Sequence, residues 1–483
     1  MTYTIGRRPM LIGGELVSSL SDEWLRSVDP VDEHLVGEVP AGTAEDVARA
    51  ATAAHEASGG WGRRSVEERA AALRAVARAI EARHDEILAV EVADTGNTEA
   101  SLRGDLKNAI WSLDHYAGLG YELKGETVPA SADGWHLTLR QPFGVVGRIV
   151  PFNHPFMFAA ARTAAALMAG NSVVLKPPET SSLSAMILGE ICRDVLPAGV
   201  MNIVSGLGMP VGDAIARHPL IPRIAFIGSA ATGRAIQQAA AETCVKTVTL
   251  ELGGKNPMIV YPDADFDAAA RAAVAGMNFV WSGQSCGSTS RLLVHEDIYD
   301  RMVDAVGAAV AAIKVGPPGD ASCGMGPMNS RAQADKALRY MQIGREEGAR
   351  LVTGGGRPEG PDFARGFWVQ PTVFADVTPD MRIAREEVFG PVLSILKWRT
   401  EEEAIRIAND VEFGLTAAIW TRDIGTALRA ARSVEAGYLW VNGVGAHYPA
   451  FPYGGFKNSG IGREECLDEL LSYTQIKAIS LIS

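Results

Sequence analysis

The sequence predicts an α/β protein built from two doubly wound α/β units plus a small extra β element, on three observations. Wholly apolar, β-branched runs alternate with alanine-rich, helix-length segments from about residue 143. The alternation starts afresh after Gly253, and two β-prone stretches, HLTLRQ (His136–Gln141) and the C-terminal YTQIKAISLIS, have no helix after them. Strands that are apolar throughout and each followed by a helix are parallel strands covered on both faces.

Taken in order, Thr43–Ala57 reads as a short amphipathic helix. Ser65–Gly96 reads as one long helix: Ser65 and Glu68 make a capping box, Leu73, Val76 and Ile80 share a face, and Gly96 supplies a stop. Helices are thus expected to dominate the first hundred residues. The strand GVVGRIV follows, then a helix over Phe156–Met168, the strand NSVVLK, a helix over Ala185–Val195, and the strands MNIVSG and RIAFIG. The second alternation runs through NPMIVY, STSRLLVH, PTVFADV, LSILKW and AAIWTRD. Its boundary with the first falls near the Gly253-Gly254 pair. The expected organisation is residues 1–118 with 143–253 as one unit, 254–453 as the second, and 119–142 with 454–483 as a bridging element. The two unaccompanied β stretches can pair with each other, with another subunit's sheet edge, or cap an edge within the chain.

A chain of 483 residues exceeds the usual limit of one hydrophobic core. With 47% hydrophobic and 21% charged residues it is neither disordered nor membrane-spanning in composition. Lys and Arg number 45 against 57 Asp and Glu, and the net charge of -12 disfavours nucleic acid or anionic membrane as a partner. The N-terminal stretch lacks an apolar leader segment, so a cytoplasmic protein is expected.

Five cysteines, widely spaced and without a C-x-x-C pair, argue against a disulfide framework or a zinc site, and no metal is expected. Cys286 is set apart: it lies in WSGQSCGSTSR among small residues that let a ligand approach, whereas Cys192 in LGEICRDVL has ordinary core neighbours. A thiol is a few per cent ionised at neutral pH and is already a strong nucleophile in that fraction. Its partner can be sought in two places. A hydrolase would use a His base, with His154 and His295 as nominal candidates, but neither sits in a recognisable Cys/His signature. Glu251 interrupts the strand TVTLE just before Gly253 and Gly254; buried there, it would make a better base than a surface carboxylate. Asn153 follows the strand GVVGRIV between two prolines, either as a turn residue or as an amide donor at a strand's C-terminal end. RIAFIGSAATGRAI places Gly228 and Gly233 around a helix start suited to phosphate, although it matches neither a Walker loop nor G-x-G-x-x-G. Gly206 lies in a second such loop, and LKPPE ends a strand with Lys176 and Glu179.

In series, PFNHP, VVLKPPE, FIGSAATG, LELGGKNP, GQSCGSTSR, EEVFGPV and PYGGFKNSGIGRE resemble the aldehyde dehydrogenase superfamily along almost the whole chain. The resemblance implies a Rossmann-like NAD-binding unit, a catalytic unit and a small β oligomerisation element. It implies that Cys286 is the nucleophile that adds to an aldehyde, that Asn153 and the Cys286 N–H hold the oxyanion, and that Glu251 activates the water that hydrolyses the thioester. Phe152, Lys176, Glu179, Gly206, Gly228, Ser229, Gly233, Leu252, Glu387 and Phe389 fall on the cofactor site. Glu179 beside the ribose favours NAD over NADP. His154, Met157, Trp281, Gly287, His447, Tyr448 and Phe451 are substrate-channel candidates, with ordinary packing as the alternative for each. The substrate implied is an apolar or aromatic aldehyde, with betaine-type or semialdehyde substrates as alternatives. A homodimer or homotetramer is expected. Two other readings stand beside it: a cysteine-dependent hydrolase, and a catalytically silent protein on the same fold.

Overall fold

The computed structural model describes residues 4–131 and 134–482. Residues 1–3, Ala132, Asp133 and Ser483, which belong to the expected N-terminal unit and bridging segments, lie outside the described residues. Two large sheets organise the chain. The first has eight strands in the order Gly460–Ile461, Thr247–Glu251, Arg223–Ile227, Val145–Ile149, Ser172–Lys176, Met201–Ile203, Met10–Ile12 and Glu15–Val17. Its five central strands are parallel. Val145–Ile149, Ser172–Lys176 and Arg223–Ile227 are buried at every position, as expected of strands covered on both faces. From Val145–Ile149 the chain adds strands outward to Met201–Ile203, then returns to add Arg223–Ile227 and Thr247–Glu251 on the other side. The order therefore reverses between Val145–Ile149 and Arg223–Ile227, and the crevice beyond their carboxyl ends is where such sheets take ligands.

The second sheet has seven strands: Arg350–Thr353, Thr372–Ala375, Val392–Trp398, Arg291–His295, Pro257–Val260, Thr416–Trp420 and Tyr438–Val441. All pairings are parallel except that of the Arg350–Thr353 edge. A three-stranded antiparallel sheet stands apart. In it Gly134–Pro142 pairs with Thr474–Ile482 in unbroken register from Thr474 opposite Pro142 to Ile482 opposite Gly134, with Thr127–Ser131 on the other side. The two lone β stretches thus pair with each other.

Three expectations need correction. The segment Ser65–Gly96 is two helices, Val66–Ala82 and His84–Thr95. The capping box at Ser65 and Glu68 and the left-handed Gly96 are present, but Arg83 leaves helical geometry (φ -108°, ψ 18°). Its guanidinium is held by Glu86 at 2.8 Å and by Glu190 of a neighbouring helix at 2.8 Å, which fixes the bend. The helix expected over Thr43–Ala57 runs on to Gly62, from Ala44. Helices do dominate the first hundred residues, beside short strands: Gly6–Arg7, Leu35–Pro40 and Trp24–Val28 form a small sheet of their own, and Met10–Ile12 and Glu15–Val17 extend the first large one. These strands are too short for their periodicity to register in the sequence. Finally, part of the 454–483 segment completes the first sheet, since Gly460 and Ile461 pair with Glu251 and Leu250.

Candidate active site

The first sheet presents the carboxyl ends of its parallel strands. Asn153 follows Val145–Ile149, Lys176 ends its strand, Gly206 follows Met201–Ile203, Gly228 follows Arg223–Ile227, and Glu251 ends Thr247–Glu251. The second sheet presents the opposite edge, the loops that lead into its strands: Gly253–Asn256 enters Pro257–Val260, the Cys286 loop enters Arg291–His295, and Glu387–Phe389 precedes Val392–Trp398. Hydrogen bonds tie the second sheet's loops together, Gly254 N donating to Glu387 Oε1 at 3.0 Å and Asn256 Nδ2 donating to Cys286 O at 2.7 Å, and the Phe152 and Phe389 rings meet edge to face at 5.7 Å across the two edges. The glycines are sterically required: a Cβ on Gly253 would lie 2.2 Å from Glu387 Oε2, and one on Gly254 2.8 Å from Cys286 O.

Cys286 and Glu251 come from the two facing edges, near enough for the carboxylate charge to act on the thiol. Burial raises the Cys286 thiol well above its ordinary value, the Glu251 charge adds to this, and a hydrogen bond with Tyr453 opposes it. Glu251 is itself held well above the usual carboxylate range, first by burial and then by the charge of Glu464. The Glu251 Oε1 atom is buried without a hydrogen-bond partner among the described residues. So is the side-chain oxygen of Asn153, while the Asn153 carbonyl is anchored by Asn97 Nδ2 at 3.0 Å. The Cys286 backbone N–H likewise has no partner among the described residues. A thiol and a raised carboxyl at facing sheet edges, with an unengaged Cys286 N–H, are groups that acyl chemistry uses.

The remaining sequence candidates fall around this centre. The Lys176 ammonium is buried and, among the described residues, reaches only Pro177 O at 3.0 Å and the half-exposed Glu179 at 3.5 Å. Ser229 caps the helix Ala230–Thr243 by accepting from Thr232 N, which leaves the helix start at the crevice. Gly233 has Leu252 packed against it, and a Cβ there would lie 2.8 Å from Leu252 Cδ2. Gly206 is left-handed at φ 147°, and Phe389 holds a left-handed φ of 53° that costs a non-glycine residue energy.

On the other side of Cys286 the channel candidates separate into two groups of rings. His154 donates or accepts at Asp105 through Nδ1 (2.8 Å) and packs its ring against Trp281 at 5.0 Å and Phe158 at 5.4 Å. His447 stacks on Tyr453 at 4.1 Å and pairs through Nδ1 with Glu465 at 2.9 Å. Tyr438 gathers His447, Phe451 and Tyr453 around it. Tyr448 is exposed and Met157 packs partly against the core, while Gly287 is buried with Tyr453 Oη 3.2 Å from where its Cβ would be. His295, the nominal hydrolase base, is at the far end of its strand against Trp398, about 13 Å of strand rise from Arg291 and thus away from Cys286. Residues the sequence did not single out include Tyr453, Asp105, Glu464 and Glu465, all brought in by long-range folding.

A family model described as the aldehyde dehydrogenase family matches residues 16–479. The aldehyde dehydrogenase tropH of Talaromyces stipitatus is 45% identical over 475 residues, covering 97% of this chain and 92% of that protein. Among solved structures, an NAD-dependent aldehyde dehydrogenase from Sinorhizobium meliloti superposes with a TM-score of 0.95 at 40% identity, over 99% of this chain and 95% of that one. An aldehyde dehydrogenase from Bacillus cereus in complex with NAD+ superposes with a TM-score of 0.95 at 36% identity, over 99% of this chain and 96% of that one.

Proposed function

The chain belongs to the aldehyde dehydrogenase family, and from that premise we propose that it oxidises an aldehyde to the carboxylic acid with NAD, using Cys286 as nucleophile, Asn153 as oxyanion donor and Glu251 as base. The observation that carries this reading is that Cys286 and Glu251 face each other from two sheet edges, where the Glu251 charge acts on the thiol and Glu251 Oε1 is buried without a hydrogen-bond partner among the described residues. The thiolate adds to the aldehyde carbon, and the oxyanion so formed takes hydrogen bonds from the Asn153 side-chain amide and the Cys286 N–H. A donor of this kind contributes about 2.7 to 4 kcal/mol to the transition state. Bound NAD supplies the hydride acceptor. Glu251 then takes a proton from water, and the hydroxide equivalent releases the acid from the sulfur.

The residues present fit NAD. Lys176 is a buried cation with spare donors and stands beside a half-exposed carboxylate, Glu179, a pair suited to ribose hydroxyls. Glu179 also repels a 2'-phosphate, which favours NAD over NADP. The helix start at Ser229 suits the pyrophosphate, and Glu387 with Phe389 and Phe152 lies where the nicotinamide end would meet Cys286. In this reading the first sheet is the cofactor unit, the second is the catalytic unit, and the three-stranded sheet joins protomers into a dimer or tetramer. A thiol that must stay reduced suits a cytoplasmic location.

The two ring clusters favour an aromatic aldehyde. Arg162 is engaged by Glu464 at 3.2 Å and Glu465 at 2.6 Å, so it is not free for a second substrate carboxylate. The test is NADH formation with benzaldehyde, a short alkanal, betaine aldehyde and succinic semialdehyde. Benzaldehyde is expected to rank first, and Cys286→Ala to abolish turnover while still binding NAD. Turnover retained by Cys286→Ala overturns the nucleophile, and a lead for betaine aldehyde or the semialdehyde overturns the substrate class.

A further inference from the structure

We infer that Tyr453 is a further catalytic residue, whose hydroxyl donates to the Cys286 sulfur and so keeps the proton that Cys286 and Glu251 share on the carboxylate. This rests on the nucleophile reading above. The Tyr453 Oη lies 3.7 Å from Cys286 Sγ, within hydrogen-bond reach of sulfur. The side chain is 3% exposed, and Cys286 is the only hydrogen-bond partner of its hydroxyl among the described residues. A buried donor without an acceptor is costly, so the hydroxyl proton belongs on the sulfur. The ring is held for this. Tyr453 N donates to Glu464 O at 3.0 Å, Glu464 N returns to Tyr453 O at 2.7 Å, and His447 stacks on the ring at 4.1 Å. Gly287 leaves the space for Oη.

The chemistry follows from the charges that face the sulfur. Glu251 comes from the first sheet, Glu387 from the loop before Val392, and Tyr453 from the C-terminal loop. Behind them, Glu464 and Arg162 act on Glu251, and Glu465 with its partner His447 lies beyond the Tyr453 ring. Two anions that face each other do not both ionise, so the reactive, singly charged form of the Cys286–Glu251 pair carries one proton. With the proton on sulfur the pair is thiol and carboxylate; with the proton on Glu251 it is thiolate and neutral acid. Only the second form lets Tyr453 donate to a charged acceptor, and charge-assisted bonds are about twice as strong as neutral ones. The proton thus moves from Sγ to Glu251, the sulfur lone pair forms the C–S bond, and the carbonyl π pair moves to oxygen. Once sulfur is bonded to carbon, the Glu251 proton leaves to solvent and the carboxylate is free to act as base.

The experiment is the rate of Cys286 alkylation by iodoacetamide against pH, in protein without NAD or aldehyde, read by mass spectrometry of the Cys286 peptide. Tyr453→Phe keeps the ring and the His447 stack. It is expected to raise the apparent thiol pKa by about one unit and slow alkylation at pH 7 about tenfold. Gly287→Ala, whose Cβ would crowd Oη at 3.2 Å, is expected to shift the profile the same way. Wild-type and variant profiles that coincide overturn the role of Tyr453. A wild-type Cys286 that resists alkylation across the whole pH range instead overturns the nucleophile reading on which it rests.

Discussion

Glu251 ends a strand of which only the last two residues are buried, and it faces the Cys286 loop of the other sheet with one carboxyl oxygen unpartnered among the described residues. Its place predicts a split phenotype. Glu251→Gln should still give a first burst of NADH but slow the steady state by roughly 10²-fold or more, the usual scale for a lost general base. Rapid-mixing absorbance checks it, and an unchanged steady state with no burst would remove Glu251 from the hydrolysis step. The reactive residues are legible in the sequence because each is out of place locally: a cysteine among glycines, a carboxylate in an apolar strand, an asparagine between prolines. Tyr453 carries no such mark. Its meaning lies in a contact with a residue 167 positions away, and a tyrosine in PYGGF reads as packing. Asp105 is hidden for the same reason, since it sits mid-helix and only folding brings His154 to it.

At the scale of elements, the helix His84–Thr95 does more than cover the sheet. Its Glu91 accepts from Phe156 N at 3.3 Å, at the start of the helix that follows Asn153, and its Asp94 accepts from Leu183 N at 3.2 Å, at the start of another. Both carboxyls are buried, and burial pushes Glu91 up to about 8 and Asp94 up to about 7. A carboxyl whose folded value is raised adds stability that is fully present below its unfolded value, near 4.3, and is lost as pH rises through the folded value. Thermal stability should therefore fall between about pH 5 and 8. Glu91→Gln keeps an acceptor for Phe156 N and should flatten that slope without abolishing it, because Asp94 still titrates. Melting temperatures of both proteins from pH 5 to 9 check this, and parallel curves would refute it. The parallel strands were legible from continuous apolar runs, and the capping box at Ser65 from its spacing to Glu68. The break at Arg83 was not, because the apolar pattern continues through it and the cause is an ion pair with Glu190, 107 residues on.

For the whole molecule, the antiparallel sheet of Gly134–Pro142 and Thr474–Ile482 leaves Trp135 66% exposed and Leu481 54% exposed as a cross-strand pair, with Ile476 64% exposed farther along. A three-stranded sheet bare of apolar cover is marginal alone, and its outer strand offers an unpaired edge. If it joins protomers, Trp135→Glu with Leu481→Glu places like charges in the contact and should yield monomers by light scattering. An unchanged mass would place the interface elsewhere. The division into two wound units showed in the sequence, but the return of Gly460–Ile461 to the first sheet did not, since two residues have no periodicity. That return also sets an order of events in synthesis. A ribosome that has delivered residues up to 450 has made every strand of the second sheet and all but one of the first. It has not yet supplied Tyr453, the Ser459 carbonyl that receives Leu252 N at 2.9 Å, or the strand that closes over Glu251. With Tyr453 acting as inferred above, the nascent chain carries its thiol unarmed until residues past 450 arrive, after the surrounding scaffold can hold it in check.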